Sequence, residues 1–449
     1  MLHRMRAVSG NPSKSTVAVV GLGKIGLPLA VQFATKGMTV IGCDVLPDVV
    51  ESINQGRSHI HEEAGLEEAV ATVVGQGRLR ATADTVAAVA DAGVVVIIVP
   101  LMVDLDRNMD FRNIDLATGA VARGLRPGTL VIYETTLPVG TTRRRLGPML
   151  QSGSGLKAGA DFHLAFSPER LYAGRIFDDL RKYPKIVGGI DDASTRHAVD
   201  FYQAVLDAEV WPVENAETAE FAKLAETTYR DVNIALANQL ALYGAGRGVN
   251  VPEAFRSSNS QPFSHLHRPS MGVGGHCIPV YPHFLLSDAA DSELSLIRDA
   301  RRTNDGMARV GVDRLERVLG GLRSRQVLVL GAAYREDVKE LAFSTIYPMV
   351  ELLDKAGAEV LINDPLFTAP ELKALKAEVV DLDSAAALGA EAVIVQAWHR
   401  DFRSLDWRRF KRLRVVLDGR GSVDPDAVRA AGAAYEAIGL AESSALTPK

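Results

Sequence analysis

Two short stretches of the chain combine residue types and spacing that could do chemistry. The first is Gly21-Leu-Gly23-Lys24-Ile25-Gly26, which follows the β-branched run Thr16–Val20 and opens a helical pattern from Leu27 to about Lys36. Each glycine answers a need: a tight turn, close approach of backbone to a pyrophosphate, and close packing of helix on strand. A helix N-terminus adds N–H donors and partial positive charge for the phosphates. Asp44 stands at the end of the next apolar run, Thr39–Cys43. A carboxylate there accepts hydrogen bonds from a ribose 2′-OH and repels a 2′-phosphate, so the pattern predicts NAD as cofactor rather than NADP. A glycine triplet alone would be a plain turn; strand, helix and acid in sequence make it a dinucleotide site.

The second stretch is Gly272-Val-Gly274-Gly275-His276-Cys277-Ile-Pro279. Glycines before and proline after would hold the cysteine in a loop made largely of backbone. A neighbouring imidazole or helix N-terminus would favour the thiolate, a competent nucleophile. The ordinary fate of a free cysteine is to be buried and inert, and the segment alone leaves both open. A metal site is not expected, because no second cysteine is near and His276 directly beside Cys277 is poor spacing for chelation.

Both stretches need elements to position them. The unalternating apolar runs Val94–Val99 and Thr129–Tyr133, spaced by helical patterns, read as buried parallel strands, so the first 200 or so residues predict a doubly wound α/β domain. From Glu217 to about Gly246 one long helix is expected, about 45 Å at 1.5 Å per residue. Its apolar residues, Phe221, Leu224, Ala225, Ile234 and Leu236 among them, should bury against a second copy or against the α/β domains. A Gly/Pro/Ser/His-rich loop follows, Ser257 to Gly275, then a helix from about Leu294 to Leu319. A second α/β pattern starts at Gln326, with a Gly331-Ala-Ala-Tyr334 turn, a helix near Ile346–Gly357, a strand Glu359–Ile362 ending in Asn363-Asp364-Pro365, and strands at Ala392–Gln396 and Val415–Leu417. That second glycine turn reads equally well as a ligand turn or as a plain strand–helix turn.

Bulk properties agree. With 449 residues the chain is too long for one core, and 47% hydrophobic with 23% charged residues is the balance of a globular protein. A net charge of -5 gives no footprint for nucleic acid or an acidic membrane surface. The two cysteines, Cys43 and Cys277, read as free thiols of a reducing compartment. Met1 to Lys14 lacks the apolar stretch of a signal peptide, and no run approaches the roughly 18 residues of a membrane span. A cytoplasmic protein is expected.

Six motifs occur in order: Gly21-Leu-Gly-Lys-Ile-Gly-Leu-Pro-Leu-Ala30, Glu134-Thr-Thr-Leu-Pro-Val-Gly-Thr141, Phe166-Ser-Pro-Glu-Arg170, Lys223-Leu-Ala-Glu-Thr-Thr-Tyr-Arg-Asp-Val-Asn233, Gly274-Gly-His-Cys-Ile-Pro279 and Asp418-Gly-Arg420. Over nearly the whole chain they resemble the UDP-sugar 6-dehydrogenases, closer to the UDP-N-acetylglucosamine and UDP-N-acetylmannosamine branch than to the UDP-glucose branch. The resemblance implies an α/β fold with an N-terminal Rossmann NAD-binding domain (1–215), a central helical dimerisation domain with the cysteine loop (216–320) and a Rossmann-like UDP-binding domain (321–449). It implies a homodimer or higher homo-oligomer, no nucleic-acid or membrane partner, and a place in polysaccharide or antibiotic biosynthesis. It also implies a four-electron oxidation: the sugar C6 alcohol becomes an aldehyde, the cysteine attacks it, a second hydride leaves the thiohemiacetal, and water releases the uronic acid from the thioester. Cys277 would be the nucleophile and Lys223 would stabilise the oxyanion, with Glu169 in acid–base or water-ordering work and Thr136 holding a water. Cofactor contacts would come from Gly21, Gly23, Lys24, Ile25, Gly26, Asp44, Val99, Pro100 and Thr136. Substrate contacts would come from Glu169, Arg170, Leu171, Lys223, Arg230, Asn233, Phe263, Ser264, Leu266, Gly274, Gly275, His276, Tyr334 and Arg335.

Several positions depart from the family pattern. Four residues beyond the cysteine the family places an aspartate, here Tyr281; one turn after the lysine it places an asparagine, here Thr227. A phenol with a pKa of about 10 cannot replace a carboxylate base at neutral pH. An arginine that reaches the neighbouring subunit's site in many members falls where this chain reads Gln261-Pro-Phe263. The family's Lys-x-x-x-x-x-x-Arg segment appears as Arg335 to Ala342, and its Val-Pro-Thr-Pro turn as Val99-Pro100-Leu-Met102. These changes motivate an alternative, a two-electron enzyme that stops at the 6-aldehyde or yields an altered sugar. A third reading, a non-catalytic nucleotide-sugar binder, sits poorly with the intact glycine loop, Asp44 and Cys277.

Overall fold

The computed structural model describes residues 16–441 except 105, 173 and 291, so the reading of Met1 to Lys14 lies outside the described residues. The chain divides into two compact units, Met1–Ala225 and Glu226–Lys449.

The first unit is built on an eight-stranded sheet. Its strands are β1 (Thr16–Val20), β2 (Thr39–Cys43), β3 (Leu79–Thr82), β4 (Val94–Ile97), β7 (Leu130–Tyr133), β8 (His163–Phe166), β9 (Lys185–Gly189) and β10 (Val210–Pro212); β5 (Met102–Val103) and β6 (Met109–Asp110) form a separate hairpin. The order is β10-β9-β8-β7-β4-β1-β2-β3, parallel except that β9 runs against β8. In β1, Val17 and Val19 pack into one core and Ala18 and Val20 into another, so both faces are covered. That is why the run shows no polar alternation. The strand order reverses between β1 and β4, and a doubly wound sheet binds ligands at the carboxyl ends of its strands beside such a switch.

The second unit repeats the plan. Strands β11 (Gln326–Leu330), β12 (Glu359–Asn363), β13 (Glu378–Val379), β14 (Ala392–Val395), β15 (Val415–Asp418) and β16 (Ala434–Ala437) form an all-parallel sheet in the order β13-β12-β11-β14-β15-β16. Val327 and Val329 face one core, Leu328 and Leu330 the other. The doubly wound α/β class expected from the sequence is the class observed.

The long helix is Ala216–Ala245, 30 residues, and the boundary between the units falls within it. Leu224 is fully buried, but Phe221 is 53% and Leu236 43% exposed. The expected loop from Ser257 is entered by a short helix, Val251–Ser258, whose N-cap Asn250 accepts the Glu253 N–H. Beyond the loop runs the helix Ser295–Leu319, which ends on Gly320 in the left-handed conformation.

Candidate functional site

In the first unit the glycine loop leaves β1 with Gly21 at φ 94°, a conformation only glycine adopts freely, and the Gly21 N–H donates to Cys43 O at 2.8 Å. A Cβ on Gly26 would lie 1.8 Å from Gly21 O, so the helix Gly26–Thr35 packs against the loop with no room for a side chain. A Cβ on Gly23 would meet nothing within 4 Å. Asp44 follows β2 and accepts the Leu22 N–H at 2.9 Å and the Leu46 N–H at 3.0 Å, which ties the acid to the loop. Open space over Gly23, a helix N-terminus and an anchored acid fit a dinucleotide. Gly21 also lies against Ile98 and Val99, and Thr135 Oγ1 donates to Val99 O at 2.7 Å. The loop, the Val99-Pro100 turn and the buried Thr135-Thr136 pair are thus gathered at the carboxyl ends of β1, β4 and β7. Lys24 is exposed and pairs with Glu62 at 3.3 Å, while Ile25 packs on the core.

Glu169 follows β8. Its Oε1 accepts the Arg170 N–H at 2.6 Å and its Oε2 takes Lys185 Nζ at 3.1 Å. Burial pushes the Glu169 carboxyl up, but the Lys185 charge and the hydrogen bonds it accepts outweigh this and hold it below the usual range. The Arg170 guanidinium donates to Pro184 O, and Leu171 packs on the core beneath. Lys223 lies half-buried on the part of the long helix that belongs to the first unit.

In the second unit the cysteine loop is stapled along its length. The Ser270 N–H donates to Asn238 Oδ1 at 2.9 Å, the Met271 N–H to Gly419 O at 3.0 Å, and the Gly275 N–H to Ala342 O at 2.8 Å. Cys277 O accepts from the N–H groups of Val280 and Tyr281. Asn238 is itself held by the buried Asn304, which donates to Asp231, and Arg301 donates to the same carboxylate at 2.5 Å. Cβ atoms on Gly272 and Gly274 would lie 2.3 Å from Thr345 Cγ2 and 2.5 Å from Tyr334 Cβ, so only glycine lets the loop lie this close to Thr345 and Tyr334. Cys277 is a free, partly exposed thiol. Cys43 is free, buried, and pushed by burial up to about 12, which makes it inert. The His276 imidazole is engaged with Glu340.

Beside this loop a cavity of about 240 Å³ is lined by Arg268, Pro269, Ser270, Tyr334, Arg335, Glu336, Ala397, Trp398, Arg420 and Ser422. Two of the expected substrate residues, Tyr334 and Arg335, are there. Leu266 lines a neighbouring cavity of about 720 Å³, whereas Phe263 is 91% exposed and Ser264 bonds Gln261. Asn233 Nδ2 donates back to Tyr229 O on its own helix, and the Arg230 charge acts on His267. Thr227 is buried, and the Tyr281 ring packs on Phe284. The sequence reading did not assign Arg420, which donates to Gln396 O, Gly272 O and Tyr334 O and so joins the cysteine loop to the sheet end. Burial pulls its guanidinium down to about 10. Its place in the Asp418-Gly-Arg420 motif was the available signal; Trp398 and Arg268 carried none.

The second glycine turn is fastened to the end of β12. Asp364, after β12, accepts the N–H groups of Ala332 and Ala333 at 2.7 and 3.1 Å, and buried His399 stands on the same oxygen at 3.1 Å. The Ala332 and Ala333 N–H groups are thereby engaged within the protein.

Three family models match the chain in succession, those of the NAD binding domain over residues 15–206, the central domain over 217–306 and the UDP binding domain over 328–425 of the UDP-glucose/GDP-mannose dehydrogenase family. The chain belongs to that family. It is therefore an NAD-dependent nucleotide-sugar dehydrogenase, an oxidoreductase, as the glycine loop and Asp44 implied. A UDP-N-acetyl-D-mannosamine dehydrogenase of Pyrococcus horikoshii is 35% identical over 91% of this chain and 96% of its own. An NDP-N-acetyl-D-galactosaminuronic acid dehydrogenase of Ralstonia solanacearum is 34% identical over 90% of this chain and 96% of its own. A solved structure of UDP-D-ManNAc dehydrogenase from Pyrococcus horikoshii superposes with a TM-score of 0.86 at 34% identity, covering 95% of this chain and all of that one. Among the described residues no helix is long and apolar enough to cross a membrane.

Proposed function

We propose that this dehydrogenase oxidises the C6 hydroxyl of a UDP-N-acetylhexosamine, of the UDP-GlcNAc or UDP-ManNAc type, to the uronic acid through a covalent thioester on Cys277. The observation that carries this reading is the partly exposed cysteine in a loop that Gly274 and Gly275 press against Tyr334, beside a cavity edged by guanidinium groups. The Pyrococcus and Ralstonia relatives are both named for N-acetylated sugars, and nothing in those names favours a reaction that stops at the aldehyde.

In this reading NAD, when bound, supplies the acceptor for hydride. Asp44 takes the ribose hydroxyls, the N-terminus of the helix Gly26–Thr35 takes the pyrophosphate, and Val99, Pro100 and Thr136 border the nicotinamide. Arg268, Tyr334 and Arg335 receive the nucleotide, with Leu266 at the rim. Cys277 adds to the C6 aldehyde; the carbon–sulfur bond holds the sugar through the second oxidation and breaks when water attacks. Lys223 stabilises the oxyanion, and Glu169, held charged by Lys185, orders the water. Thr227 and Tyr281 stand where the family uses amide and carboxylate, and both tune hydrolysis of the thioester. Arg230, Asn233, Phe263 and Ser264 complete the substrate surface.

The divisions 1–215, 216–320 and 321–449 serve as cofactor, assembly and nucleotide domains. The chain works as a homodimer or higher homo-oligomer in the cytoplasm. Tyr229, Leu236, Leu240 and Tyr243 recur at helical spacing and are 59%, 43%, 39% and 61% exposed, a stripe suited to a second copy. The experiment is to incubate purified protein with NAD and a panel of UDP-sugars, counting NADH and identifying the product by mass spectrometry. An acid with two NADH per N-acetylated sugar supports the reading; no turnover of any UDP-N-acetylhexosamine overturns it.

A further inference from the structure

Behind Glu169 and Lys185 lies a buried carboxyl of the first unit, Glu134, that has no part in the chemistry above. Glu134 directly follows β7, has no exposed surface, and precedes the Thr135-Thr136 pair. Its Oε1 accepts the Tyr202 hydroxyl at 2.5 Å and its Oε2 accepts Lys185 Nζ at 2.7 Å. Lys185, itself only 6% exposed, reaches on to Glu169 Oε2 at 3.1 Å. The charged and titratable groups facing Glu134 are therefore Lys185 from β9, Glu169 from the segment after β8, and Tyr202 from the helix Asp192–Val205.

Two carboxylates around one ammonium would leave a net negative charge where Glu134 and Lys185 are buried and only Glu169 reaches the surface, and one added proton removes it. The two carboxylates share a single counter-charge, Lys185, so the added proton belongs to one of them. The Glu134 side chain has no exposed surface while that of Glu169 is 13% exposed, so charge is less costly on Glu169 and the proton resides on Glu134. Burial, against the pull of Lys185, raises the Glu134 carboxyl to about 7.

We propose that Glu134 and Lys185 are positioning residues for Glu169, and that the Glu134 carboxylate is the store to which Glu169 passes a proton taken up during turnover. The proposal rests on the acid–base reading of Glu169 given above. In the step an O–H bond breaks on Glu169 and forms on Glu134; no electrons are exchanged, and Lys185 stays paired with whichever carboxylate is charged. Oxidation of an alcohol to a carboxylate with two NAD and one water releases protons, so an internal acceptor has work in each cycle. Below neutrality the store is already full.

The test uses the full-length protein in two measurements. Infrared spectroscopy of the ligand-free protein follows the carbonyl band of a buried carboxylic acid against pH, and steady-state kinetics with NAD and the best UDP-sugar gives kcat and KM against pH. A protonated-carboxyl band that fades around pH 7 in the wild type and is missing in Glu134→Gln is expected. The kcat of the wild type should rise through the same range. In Glu134→Gln that inflection should move out of the range, with kcat down by about 10²-fold and KM changed little. Lys185→Met should also lower kcat, and Lys185→Arg should recover part of the loss. A wild-type band that does not titrate near neutrality overturns the proposal, as does a Glu134→Gln enzyme with the wild-type pH profile. If no UDP-sugar is turned over, the functional reading fails while the infrared titration still decides whether the proton is shared.

Discussion

Gly26→Ala is the sharpest perturbation of the cofactor site. The new methyl carbon would stand 1.8 Å from Gly21 O, 2.9 Å from Gly21 C and 2.8 Å from Ile98 Cγ2. Carbon reaches a comfortable separation at about 3.5 Å, so the helix Gly26–Thr35 must withdraw from the loop by roughly 1.5 Å. Overpacking of this kind costs about 1–3 kcal/mol, and in a unit of this size that lowers Tm by roughly 3–10 °C. The same movement pulls the helix N-terminus off the pyrophosphate, and a misplacement of about 1 Å is worth about 10²-fold. Thermal unfolding by circular dichroism and titration calorimetry with NAD separate the two effects. Gly23→Ala is the control: its methyl meets no protein atom within 4 Å, so stability should hold within about 0.5 kcal/mol while NAD, which would approach over that carbon, binds more weakly. A Gly26→Ala protein with unchanged Tm and unchanged NAD affinity would refute the packing argument.

Other outcomes follow from the same geometry. Asp44→Ser should narrow the preference for NAD over NADP by about 10-fold or more, read as the ratio of the two kcat/KM values. Cys277→Ala should abolish acid formation while NAD binding, measured by calorimetry, is unchanged, because the glycine loop and Asp44 are left intact. Glu220 accepts the N–H groups of Gly140 and Thr142, yet burial pushes its carboxyl up to about 7, as it does for Glu134. A carboxyl raised in this way stabilises the fold fully below its ordinary 4.5 and loses that contribution as pH rises through about 7. Thermal stability should therefore fall from about pH 5 to pH 8 by a few kcal/mol, and Glu220→Gln should flatten the slope. Leu240→Arg should shift the species seen by analytical ultracentrifugation toward monomer without altering the far-ultraviolet spectrum.

Much of the fold was legible because its central strands are apolar on both faces. β1, β2, β4, β7, β11, β12, β14 and β15 lie within a residue or two of the runs that announced them. The strands Leu79–Thr82, Lys185–Gly189 and Val210–Pro212 were not foreseen, since Leu-Arg-Ala-Thr, Lys-Ile-Val-Gly-Gly and Val-Trp-Pro are short or interrupted and become strands by pairing with neighbours. Nothing local indicates that β9 runs backward. The candidate site divides in the same way. The glycine loops were visible because φ and close approach leave no other residue, but their partners are distant in sequence. Tyr334 against Gly274 and Asp364 on the second glycine turn needed the fold to be seen. Lys185 at the head of a strand looks like a solvated charge, and only its burial between two carboxylates gives it meaning.

The most direct test of the central claim is a single-vessel count. The protein, NAD and UDP-N-acetylmannosamine or UDP-N-acetylglucosamine are incubated to completion, NADH is measured by absorbance, and the sugar product is identified by mass spectrometry, with Cys277→Ala run alongside. Two NADH for each sugar, a uronic acid as product, and loss of that acid in Cys277→Ala are the predicted result. One NADH for each sugar with an aldehyde released, or acid formed equally well without the thiol, would contradict the account.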